Sequence, residues 1–175
     1  LILHWLSNAE TLFLSKIKNT EPNFCFEIKK GENNEYFCFK NNTKNNLIYL
    51  LSNVPDGVIK MSEDIEGLVE TSLNLGILST DNEIITVHYA LRSNKEAELH
   101  ALTEKVLTIS KKAKAQSDVF GFYPPWEYNP NSTLRELYKT CFNEVFKKQI
   151  RIEAIHAGLE CGVFANKIKG LDCIS

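Results

Sequence analysis

Two alternating apolar runs constrain most tightly what this chain can fold into. The stretch from Gly67 to Leu78 contains LVETSLNLGIL, Glu83 to Arg92 reads EIITVHYALR, and Ser79, Thr80, Asp81 and Asn82 separate them. Period-two patterning on either side of a polar turn predicts a pair of antiparallel strands. Lys95 to Ala115 follows at once, rich in Ala, Leu, Glu and Lys, with Leu99, Leu102, Val106 and Ile109 on one stripe. That spacing predicts an amphipathic helix lying on the sheet.

Upstream, Leu3, Leu6, Leu14 and Ile17 recur at helical spacing, and the cluster Asn19 to Asn23 stops any helix there. Phe24 to Ile28 and Tyr36 to Phe39 alternate around a polar turn and predict a hairpin. The Asn-rich stretch Asn41 to Asn46 reads as a polar loop, and Thr43 could cap a short helix carrying Leu47, Leu50 and Leu51. Val54-Pro55-Asp56-Gly57 then makes a turn, because proline presets φ and glycine accepts a positive one. Val119 to Tyr123 reads as a last short strand. Together these elements predict an α+β lobe, with helices on one face of an antiparallel sheet, ending near Pro124.

Pro124-Pro125-Trp126-Glu127-Tyr128-Asn129-Pro130 is a Pro-rich connector. After it, Ser132 should cap a helix carrying Leu134, Leu137, Tyr138, Cys141, Phe142 and Val145. A strand at Ile150 to Ile155, a helix from about Glu160 and a strand from Leu171 complete a βα alternation, the pattern of a parallel sheet. The change of pattern at the connector divides the chain into residues 1–124 and 125–175. The start at Leu1, and an end that reads as a strand without its loop, give the expectation of a piece of a longer protein.

Composition narrows the function classes. A formal net charge of -2 over 175 residues leaves no basic stripe for nucleic acid or an anionic membrane surface. No run approaches the ~18 consecutive apolar residues of a membrane span, and no basic-then-apolar leader precedes the first helix. Cys25, Cys38, Cys141, Cys161 and Cys173 are odd in number and show no CxxC spacing, which argues against a disulfide framework and a zinc knuckle. Reduced thiols in the cytoplasm are the simpler reading.

Chemistry is most concentrated in Ile155-His156-Ala157-Gly158-Leu159-Glu160-Cys161-Gly162. An imidazole, a carboxylate, a thiol and two glycines fall between a strand pattern and a helix pattern, at the edge where open α/β sheets bind ligands. One reading is a ligand loop, in which glycines let backbone N–H groups approach a carboxylate before a helix N-terminus. Others are a tight structural turn, a metal site using His156, Glu160 and Cys161, and a Cys161–His156 nucleophilic pair; Gly158 and the lack of a third ligand at familiar spacing weigh against the metal. Arg92 could grip a carboxylate bidentately or simply end its strand in solvent. His88 reads as a sheet residue, and Tyr123 and Trp126 as packing for the connector.

The order of five motifs adds a resemblance. Asn53-Val54-Pro55-Asp56-Gly57-Val58, Val69 to Gly76, Leu91-Arg92-Ser93, Tyr123-Pro124-Pro125-Trp126 and Ile155 to Gly162 closely resemble aminoacyl-histidine (Xaa-His) dipeptidases. These are di-zinc metallopeptidases, grouped with carnosinases and carboxypeptidase-type exopeptidases. The likeness is specific from about Asn53 and loose over the first ~50 residues; Pro125 stands where the family more usually has glycine.

The resemblance implies an α/β catalytic domain with two zinc ions and an inserted ferredoxin-like lid. Residues 1–124 then correspond to the lid lobe, which also implies a homodimer through it, and 125–175 to part of the catalytic domain. The family's zinc ligands and catalytic glutamate match nothing here, so the resemblance implies no catalytic or metal-ligating residue in this chain, and no activity for it alone. It implies instead that His156, Gly158, Glu160 and Arg92 bind a short peptide substrate. A lid or interaction module without metal is the alternative.

Overall fold

The computed structural model describes residues 2–17, 19–25, 38–81, 83–157 and 159–175, with the side chains of the first six residues excluded. The chain divides into two compact units, Leu1–Phe39 and Lys40–Ser175. In the first, α1 spans Ile2–Ile17. It stops as the Asn19 to Asn23 cluster predicts, with the amides of Thr20 and Glu21 both donating to the Ile17 carbonyl. The hairpin expected at Phe24 to Phe39 falls mostly outside the described residues.

In the second unit α2 spans Asn41–Asn53, so the Asn-rich stretch is helical and no loop. Thr43 lies inside the helix; its N-cap is Lys40, whose side chain makes no capping bond. Asparagine disfavours helix interiors only weakly. Burial of Leu50 and Val54 in the core prevails. The predicted turn at Val54–Gly57 forms, with Gly57 at φ +89°, and leads into a strand absent from the sequence reading, β1, Gly57–Met61.

β2 (Val69–Thr80) and β3 (Ile85–Ser93) form the predicted antiparallel pair, and β1 adds to the other side of β2. β1 reaches only from Val69 to Leu73 along β2, through a bulged register. Beyond it, the Leu75 amide donates to Asp56 Oδ1 at 2.8 Å. α3, Glu96–Lys112, packs on β3 and against α2. Leu50, Val54, Leu73, Leu102 and Ala113 form the core, flanked by Val87, Tyr89, Leu91, Val106 and Ile109. This is the expected lid-like α+β lobe. Val119 to Tyr123 does not join the sheet; Phe120 lies edge-on to His88, their centroids 5.9 Å apart.

After the connector, α4 spans Thr133–Phe146 with Ser132 as its N-cap, its Oγ accepting from the Arg135 amide at 3.1 Å. Asp172 adds a second cap, accepting from the Leu134 amide at 2.9 Å. α5 spans Glu160–Lys167. Ile150 to Ile155 and the residues from Leu171 form no strand. A strand exists by its ladder, and no described residue supplies one to them.

Glu70 is the polar centre of the lobe. Its side chain has no accessible surface. Lys60 and Lys95 place their Nζ atoms 3.0 Å from its two oxygens. These ion pairs, without hydrogen bonds of regular geometry, satisfy the carboxylate. Lys60 also reaches Glu98 of α3 at 3.0 Å, and Lys95 reaches Asp64 at 3.5 Å. Burial alone would raise the Glu70 pKa, but the two lysines outweigh it and hold it below the ordinary carboxylate value.

A depressed folded pKa stabilises the fold above the unfolded value of about 4.3 and loses that contribution as pH falls through the folded value. Glu70→Gln should therefore lower the urea midpoint at pH 7, and its deficit relative to the parent protein should shrink as pH is lowered below 4. A deficit independent of pH would contradict this account.

Candidate substrate-recognition site

Side chains on a strand alternate between faces, and directly paired residues share one. Leu73 pairs with Leu91 and both turn to the core. Ser72 pairs with Arg92, one step along, so both occupy the face away from the helices. There the imidazole of His156 meets the sheet, Nε2 lying 2.7 Å from Ser72 Oγ. Two of the four sequence-derived residues, Arg92 and His156, thus belong to one site although they are far apart in the chain.

The electrostatics follow from that placement. His156 is half-buried, and loss of hydration lowers its pKa; the positive charge of Arg92 lowers it further, while a backbone hydrogen bond at Val69 works the other way. The ring is neutral at neutral pH. Arg92 itself is exposed. It can meet an anionic group from solvent while His156 offers a neutral polar edge beside it.

Glu160 is exposed in the first turn of α5 and makes no bond to His156, Ser72 or Arg92. Its charge suits a helix N-terminus, whose N-cap Leu159 has no side-chain cap to offer. Gly158 lies outside the described residues. Cys161 turns from His156, its Sγ donating to the Ile174 carbonyl at 3.6 Å with Cys173 nearby. The nucleophilic pairing with His156 therefore does not form. Among the described residues no three His, Cys, Asp or Glu side chains are grouped to hold a metal ion, so these donors do not fit a zinc centre.

Gly162 fixes the far side of the turn. A Cβ there would lie 2.9 Å from the Pro124 carbonyl oxygen and 3.2 Å from Trp126 Cβ. The connector packs directly on α5, the packing role expected for Trp126. The sequence does not mark Ser72 as a site residue, since no spacing signal connects it to a histidine 84 positions away.

Gly162→Ala should destabilise the protein by about 1–3 kcal/mol, because the methyl meets backbone that cannot turn aside; urea unfolding with an unchanged midpoint would refute the contact. His156 should titrate below the ordinary value of about 6.5, and Arg92→Gln should move its NMR midpoint upward. The sign for stability is that of a depressed group: the His156 contribution is complete above about 6.5 and is lost as pH falls through its folded value. A midpoint unmoved in Arg92→Gln would refute the coupling.

No family model matches the chain. It is 33% identical over 126 residues to a cytosol non-specific dipeptidase of Escherichia coli (strain K12), a match covering 72% of this chain and 26% of that protein. It is also similar to the crystal structure of an aminoacylhistidine dipeptidase from Vibrio alginolyticus, with a TM-score of 0.78 and 27% identity, covering 91% of this chain and 32% of that one. The chain thus spans about a quarter to a third of the length of these relatives. No helix among the described residues is long and apolar enough to cross a membrane. Sequence, fold and motif order agree that the chain is similar to part of these two dipeptidases.

Proposed function

We propose that the protein hydrolyses the amide bond of short peptides and that this chain supplies substrate recognition to that reaction. The observation that carries the reading is the 33% identity over 126 residues to a dipeptidase. Xaa-His dipeptides are the proposed substrates, a choice supported by the likeness to an aminoacylhistidine dipeptidase. The cytoplasm is the proposed location, after the cytosolic relative.

In this reading Arg92 takes an anionic group of the peptide, its guanidinium being exposed next to Ser72 on the open face. His156 contacts the peptide beside it as a neutral polar group. Gly158 and Glu160 complete the substrate-facing turn. Residues 1–124 act as the lid lobe and 125–175 as part of the catalytic domain. Two zinc ions, implied by the family resemblance, would be held by residues outside this chain. A homodimer through the lid lobe would use the free side of β2 beyond Leu73, where β1 no longer covers it.

The test is hydrolysis of β-Ala-His and Gly-His by the intact protein after chelation, with and without added Zn²⁺. Metal-dependent cleavage is expected. His156→Ala and Arg92→Ala should each lower kcat/KM by about 10- to 100-fold, the effect of losing a hydrogen bond to a charged group. Unchanged kcat/KM would remove the corresponding role. No cleavage by a folded, zinc-loaded protein would overturn the dipeptidase reading, and failure to bind zinc would favour a lid or interaction module without metal.

A further inference from the structure

Ser72 lies on the middle strand of the sheet, opposite Arg92 on β3 and Val58 on β1, so its backbone is fixed from both sides. Its hydroxyl is 2.7 Å from His156 Nε2, the length of a good hydrogen bond. A hydroxyl can donate or accept, and a neutral imidazole has one nitrogen of each kind, so the direction of this bond decides which nitrogen carries the hydrogen. We propose that Ser72 is a positioning residue, donating its hydroxyl hydrogen to Nε2 of His156 and so holding the imidazole as the Nδ1–H tautomer beside Arg92, ready to donate to a carbonyl or carboxylate oxygen of a peptide.

Two observations support that direction. The half-buried ring stands next to a guanidinium, which disfavours a second ring hydrogen and keeps the imidazole neutral. A backbone acceptor at Val69 also faces the ring. With Nε2 engaged by Ser72, the hydrogen on Nδ1 is left to meet a carbonyl or carboxylate oxygen. Arg92 is the charge acting on the ring among the described residues; Ser72 and the Val69 backbone are its polar neighbours from β2. The proposal rests on the reading of His156 as a substrate contact.

The tautomer is readable without turnover. Imidazole ¹⁵N spectra of the intact protein, with His156 assigned by its loss in His156→Gln, should show the Nδ1–H pattern. Ser72→Ala should convert it to Nε2–H or a mixture, and lower kcat/KM for Gly-His about tenfold, mainly through KM. Ser72→Thr, which keeps the hydroxyl, should retain both. An Nε2–H pattern in the parent protein, or an unchanged pattern in Ser72→Ala, would overturn the proposal. Because the parent spectrum is decisive alone, a variant that fails to fold does not protect the idea. Absence of peptidase activity would end the dipeptidase reading separately.

Discussion

A carboxylate sealed from water between two ammonium groups holds the second unit together. Glu70 opens β2 and draws Lys60 from β1 and Lys95 from the turn that leaves β3; Lys60 extends the network to Glu98 on α3. Three strands and a helix are thereby brought to one point. Removing a single partner from such an arrangement leaves a charge without compensation, which costs more than the intact pair contributes. The apolar core nearby is small, with five buried members among the described residues. The ion pairs therefore have a large share in deciding how the strands begin and in which register they run.

The site inherits its geometry from that register. Ser72 stands two residues beyond Glu70, and Arg92 three residues before Lys95, so the strands that the ion pairs fix carry both groups to the open face. A slip of β2 by one residue would turn Ser72 into the core and Leu73 out of it. Burial of Leu73 and exposure of Arg92 are two consequences of one alternation. His156 then reads the outcome through a single short bond to Ser72.

The parts of the fold that local patterning governs were legible in the sequence: the β2–β3 pair, the stripe of α3, the Ser132 cap and the start of α5 near Glu160. What was not legible depends on partners. Gly57–Met61 becomes a strand only because β2 offers an edge, and Val119 to Tyr123, equally apolar, finds none. Asn41 to Asn46 is drawn into a helix by leucines further on. Within the site, Arg92 and His156 stood out as charged or titratable groups next to turns. Ser72 has no such mark, since a serine in a strand announces nothing until the fold places a ring nitrogen against it.

The approach of α5 to the connector has a mechanical consequence. Gly162 leaves no room for a side chain between α5 and the connector. A group added at position 162 would push α5 and residues 124–126 apart, so close packing couples the turn after His156 to the double proline. The run after the left-handed Lys147 differs, having no ladder bonds to stiffen it.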